Sequence, residues 1–358
     1  MSGIVADNVD RASGVVTAAA AGPTISASDP TISTNATLGT QWANSTSGEF
    51  YVCTDATADA NVWTNVGGGS GDIEPWAFQG ESYGYASGGA SNVIDKWTLA
   101  SDANATDVGD LSVNRYGYGG SSGNTHGFNA GNGGYGDVID KFSFSSDGNS
   151  SDVGNLSVAR DSGAAQSSTT NYGYFSGGQT ASGQSNIIDK YSHTSDGNAT
   201  DIGDTTVSTN VPCGQSSSAH GYTSGGYTTT NSNAIDKFPF ASDTNASDVG
   251  DLTVARNYIA GQSSSNHGYV SAGYISSDQN VIDKFTFASD ANATDVGDLT
   301  VARRDTSGQS STASGYTAGG HTSSSSNVVD KFAFASDGNA TDVGNLTVAR
   351  RGCGGQQV

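Results

Sequence analysis

The stretch NVIDKFTFASDANATDVGDLTVAR, residues 280–303, decides the reading of this chain because it is written six times over. An Asp-Lys pair preceded by Ile or Val begins at Asp95, Asp140, Asp189, Asp236, Asp283 and Asp330, at intervals of 45–49 residues. All six lysines of the protein stand at the second position of that pair. Repetition at this period marks an array built from one supersecondary unit, too long for most solenoid coils. Upstream of the quoted stretch, Gly261-Gln262-Ser263-Ser264 leads to an aromatic segment over residues 267–270 and the small pair Ala272-Gly273. Residues 280–287 are rich in β-branched and aromatic side chains, and residues 289–297 are rich in turn formers. Four short β segments per unit are therefore predicted, the number that one propeller blade requires.

The balance of 14 Lys+Arg against 35 Asp+Glu leaves a formal charge of -21, which repels nucleic acid and anionic membrane surfaces. The 50 glycines raise the question of disorder, but they recur at fixed places among 31 aromatic residues, so the reading is a folded all-β protein. The N-terminus has no basic region followed by an apolar core, so no signal peptide is expected, and residues 15–22 are too short to insert in a membrane. Cys53, Cys213 and Cys353 are scattered, with neither metal-ligand spacing nor a disulfide framework.

A glycine doublet closes the aromatic segment at Gly88-Gly89, Gly133-Gly134, Gly177-Gly178, Gly225-Gly226 and Gly319-Gly320, with Ala272-Gly273 as the variant. Each unit ends on Arg115, Arg160, Arg256, Arg303 or Arg350, except the third, which carries Thr209. These residues resemble kelch repeats, although the kelch tryptophan is absent. The resemblance covers about four-fifths of the chain and implies a six-bladed β-propeller over residues 76–358. Gly355-Gln356-Gln357 aligns with the Gly308-Gln309-Ser310 that opens the sixth unit, so the C-terminus is expected to add a strand beside the first blade, near residues 76–80.

Residues 1–37 read as an attachment segment, residues 38–66 as a small β module and residues 67–75 as a flexible linker. In the module, Trp42, Tyr51, Val52 and Trp63 fall on three short β candidates, with a turn at Ser47-Gly48. So small a core calls for docking or oligomerisation. Its pattern from Trp42 and Asn44 through Tyr51–Asp55 to Val62-Trp63 resembles small modules of bacteriophage tail-fibre and other structural proteins. The repeats also look like those of phage virion propellers, marine phage in particular. The resemblance implies localisation to the virion, other virion proteins as partners of the N-terminal segment, homo-oligomers, and a displayed domain facing a host cell-surface glycan or protein. The expected function is that of a receptor-binding adhesin on a tail fibre; the alternative is a capsid or tail decoration protein without a receptor, and behind it a glycan-cleaving tailspike, for which an acid pair is missing.

Candidate chemistry is sparse. Asp283 and Lys284, standing for all six copies, read as structural ion pairs, because a catalytic lysine would differ from its five equivalents. Asp102, Asn104, Asp107 and Asp110 form an acidic glycine-containing loop that could hold calcium, although its spacing is not that of an EF-hand and Asx turns explain the same residues. The sequons at Asn104, Asn149, Asn198, Asn245, Asn292 and Asn339 fall in the same turns. His126, His220 and His267 would converge on a metal if their strand lined a central channel. Hydrolysis of a sugar needs two carboxylates in unlike environments, yet Glu49, Glu74 and Glu81 are the only glutamates and no nucleophile elbow occurs, so no enzyme is expected. Variable loops follow the doublets, and Tyr135, Gln179, Tyr227, Tyr274 and His321 directly after them are the ligand-binding candidates.

Overall fold

The computed structural model describes residues 22–66, 78–116 and 119–358. It divides the chain into two compact units, Met1–Trp76 and Ala77–Val358, and every regular element among the described residues is a β-strand.

In the first unit, Thr24–Ser26, Gln41–Asn44, Phe50–Asp55 and Val62–Asn65 form one sheet in chain order. Three of these strands match the expectation, and Gly48 turns between two of them at φ +79°. The first strand was not expected. Thr24–Ser26 pairs in parallel with Gln41–Asn44, and Trp42 Nε1 donates to the Ser28 carbonyl at 2.9 Å. Asn44 Nδ2 donates to Asp29 Oδ1 at 2.7 Å, while Asn61 donates its backbone N–H to the Ile32 carbonyl. The module therefore starts well before residue 38, and the boundary at residue 37 is corrected. Tyr51, Cys53 and Trp63 form its core, with Trp42 edge-on to Trp63 at 5.9 Å. Residues 1–21 and the linker at residues 67–75 lie outside the described residues.

In the second unit each repeat forms a four-stranded antiparallel sheet. In the fifth, Ala260–Ser263, His267–Ser271, Val281–Thr286 and Thr294–Asp298 pair in sequence order. The third sheet adds the short Gln179–Thr180 beside its main strands. The first sheet is completed from the far end of the chain, where Cys353–Gln357 pairs antiparallel with Tyr83–Gly88, Cys353 opposite Gly88 and Gln357 opposite Gly84. The expected C-terminal strand is present, but its pairing lies several residues downstream of residues 76–80.

A register shift falls between Ile282 and Asp283, and at the same place in the other five sheets. Regular alternation would bury one of two neighbours; the bulge buries both Ile282 and Asp283 completely. The isoleucine joins the apolar packing between sheets, and the carboxylate enters the same space with a partner. The aromatic residues interlock there too. Tyr222 stacks on Phe287 of the next sheet at 4.8 Å, Tyr269 on Phe334 at 4.8 Å, and Tyr174 on Phe240 at 4.8 Å.

The first strands of the six sheets lie side by side around a common axis. Ser122 N–H donates to Ser167 Oγ, Ser167 to Ser216, Ser216 to Ser263 and Ser263 to Ser310, each at 2.9–3.0 Å. Ser310 N–H then reaches Gln357 Oε1 at 3.4 Å, and Gln357 N–H returns to Ser122 Oγ at 2.9 Å. The ring passes through all six sheets and ends where it began. Packing at the axis is close enough to demand glycine: a Cβ on Gly261 would collide with the Gly214 carbonyl, and one on Gly308 with that of Gly261. Two small gaps, of about 40 and 50 Å³, lie along the axis.

Candidate functional site

The repeated charges serve the joints between sheets. Asp283 Oδ2 accepts from Arg256 Nη1 at 2.8 Å, and Arg256 is the residue that ends the preceding repeat. The same pairing joins Arg115 to Asp140, Arg160 to Asp189, Arg303 to Asp330 and Arg350 to Asp95, with all ten side chains at most 2% exposed. In the third repeat Thr209 leaves Asp236 without an arginine. Thr206 donates its N–H and hydroxyl to that carboxylate at 2.7–2.9 Å, and burial pushes the Asp236 carboxyl above its usual range.

Lysine pairs elsewhere. Lys284 meets Asp337 in the acidic turn of the next repeat, and Lys331 closes the circle on Asp102. These six pairs are half-exposed, the aspartates more than half, so Asp283 and Lys284 belong to two different kinds of ion pair.

In the acidic loop three of the four candidate ligand side chains have a protein partner of their own. Asp102 holds Lys331, Asp107 Oδ1 accepts the Gly109 N–H at 3.1 Å, and Asn104 Oδ1 accepts the Asn345 N–H at 3.0 Å. Asp110 donates its N–H to Asn149 at 3.0 Å. All six sequon asparagines make this bond to the preceding sheet, which accounts for their regularity. Among the described residues no three His, Cys, Asp or Glu side chains converge as they would around a metal. The condition set for the histidines is not met: His126, His220 and His267 open the second strand of their sheets, and the axis is lined by the first.

Antiparallel order puts the post-doublet loops and the links between sheets at one end of the axis, with the acidic turns at the other. Phe78 occupies the acidic-turn end, buried among the serines of the ring, where its carbonyl accepts from Gln357 Nε2 at 2.7 Å. The doublet end is open. There a depression of about 460 Å³ is lined by Tyr116, Ser162, Tyr258, Tyr274, Arg304, Asp305 and Arg351. Six of these seven stand one or two places after the residue that ends a repeat.

Of the five post-doublet candidates, only Tyr274 reaches this depression. Its backbone bridges Asn257 and Asp278, and its ring lies under the Arg304 guanidinium at 4.7 Å. Gln179, Tyr227 and His321 make the equivalent bridges to Asp161, Asn210 and Arg304, so they stand around the rim. Tyr135 is exposed at φ +63°. Sequence reasoning passed over Tyr116, Tyr258, Arg304, Asp305 and Arg351. The available signal was variation directly after a nearly invariant arginine: Tyr116, Asp161, Asn257, Arg304 and Arg351 present four residue types where the neighbouring positions repeat.

Arg304 is fixed by Asp278 at 2.6 Å, and Arg351 lies over Tyr116 at 5.9 Å. Burial, with Asp305 beside it, raises the Tyr258 hydroxyl above the usual phenol range. No protein-family model matches the chain, and comparison with curated proteins finds no significant match.

Proposed function

We propose that the second unit is a six-bladed, kelch-like β-propeller, and that the protein is a non-enzymatic adhesin of a bacteriophage virion, carried on a tail fibre. The closed serine ring and the C-terminal strand that completes the first sheet support the propeller. In this reading the N-terminal segment docks to other virion proteins, and the doublet end of the axis faces a glycan or protein on the host surface. Several copies per particle would turn a weak contact into firm attachment.

One observation carries the binding role. Side chains present in five or six copies join sheet to sheet, whereas Tyr116, Tyr258, Arg304 and Arg351, at positions where the repeats vary, gather around one depression. Structural need accounts for the former and not the latter. Phe78 lies at the opposite end of the axis from the depression.

Immunogold electron microscopy with antibody against the second unit tests the assignment. Gold at fibre tips, together with purified full-length protein that binds host cells and competes with adsorption, is the expected result. Gold over the head without cell binding would replace adhesion by decoration, and no gold on any particle would remove the virion from the account.

A further inference from the structure

We infer that the depression at the doublet end binds a neutral saccharide, a conclusion that rests on reading this unit as a binding module. Its volume of about 460 Å³ falls within the ~300–1,000 Å³ typical of small-ligand sites. The lining chemistry suits a sugar ring, which presents C–H faces and a rim of hydroxyls. Tyr116, Tyr258 and Tyr274 supply flat aromatic surface with a polar end. Arg304 and Arg351 offer donors only and Asp305 offers acceptors only, so a hydroxyl, which does both, can be met from either side. No aliphatic side chain lines the depression.

Charge argues for a neutral ligand over an acidic one. Arg304 is already neutralised by Asp278, and Asp305 and Asp161 act on the same Tyr258 as the two arginines. The depression therefore has no surplus positive charge, and the surrounding chain carries -21. An anion approaching it would gain no steering.

The site is also held in shape before any ligand arrives. Tyr258 and Asp305 adopt φ of +55° and +56°, the left-handed conformation that Ser162, Val211 and Gly352 also hold at the same place in their repeats. Arg304 is clamped between Asp278 and Tyr274.

The test is calorimetric titration of the full chain with gluco-, galacto- and manno-configured neutral oligosaccharides and with the matching uronic-acid oligomers, at low and high salt. Tyr258→Gly removes the ring while suiting the backbone, so its melt should hold. It and Tyr274→Ala should each weaken neutral binding about tenfold, the loss of one aromatic contact, while Tyr258→Phe stays close to wild type. Binding confined to the uronic-acid oligomers and abolished by salt would overturn the inference and leave adhesion standing. Cell binding without binding of any oligosaccharide, or with binding that Tyr258→Gly and Tyr274→Ala leave unchanged, would do the same. Adhesion itself fails only if the protein does not bind host cells.

Discussion

Replacing Arg256 with methionine should separate the two kinds of ion pair that the Asp-Lys repeat contains. The Arg256 guanidinium donates to Asp283 Oδ2 at 2.8 Å and to the carbonyls of Ala272, Val270 and Val254 at 3.0, 3.1 and 3.3 Å. Arginine and aspartate side chains are both fully buried. Methionine fills much of the stem but leaves three carbonyls without this donor and a buried carboxylate held only by Thr253, through its N–H at 3.1 Å and its hydroxyl at 2.6 Å. Removing one partner of a buried pair costs about 3–5 kcal/mol, because the remaining charge loses its compensation. Lys284→Ala should cost no more than about 1 kcal/mol, since Lys284 and Asp337 are 23% and 56% exposed and water takes over each charge. Urea denaturation followed by circular dichroism measures both, and adding Asp283→Asn to Arg256→Met should restore part of the loss by removing the stranded charge. The third repeat already lives without the arginine, and there burial shifts the Asp236 carboxyl upward. Equal costs for the two variants, or an Arg256→Met loss under about 1 kcal/mol, would refute the assignment of Asp283 to a buried joint.

Burial depresses His193 to about 3 from an ordinary value near 6.5, so between those values the unfolded chain binds the extra proton. Stability contributed by neutral His193 is thus present above pH 6.5 and lost as pH falls through that window; His193→Phe, the residue found at Phe144, Phe240, Phe287 and Phe334, should flatten the stability profile measured there. Deleting residues 353–358 leaves Tyr83–Gly88 as an open edge and breaks the serine ring at Gln357, so the melting temperature should fall sharply; an unchanged melt would count against closure. Gly261→Ala places a methyl against the Gly214 carbonyl and should cost about 1–3 kcal/mol in the same denaturation assay, as overpacking does. A chelator should leave the melt unmoved, because the side chains of Asp102, Asn104 and Asp107 are each taken by a separate protein partner; a lowered melt would restore calcium to the acidic turns.

The residues by themselves determined the local elements. Strand, turn and doublet positions follow from β-branched and aromatic runs punctuated by glycine and Asx turns, which act within a few residues, and repetition multiplied that signal six times. They also determined that Asp283 and Lys284 are structural, and that the C-terminus supplies a strand. Partnership was decided by tertiary structure. A bulge between Ile282 and Asp283 turns the carboxylate toward the arginine of the preceding repeat, while Lys284 reaches forward to Asp337, so adjacent residues join different sheets. The early start of the N-terminal module was hidden for a related reason: Thr24–Ser26 is a strand only by virtue of pairing with Gln41–Asn44. The depression was the least legible feature. Tyr116, Tyr258, Arg304 and Arg351 are far apart in the chain, and no local propensity links them. They meet because six first strands close around one axis, which brings the residues just before each strand to a single mouth.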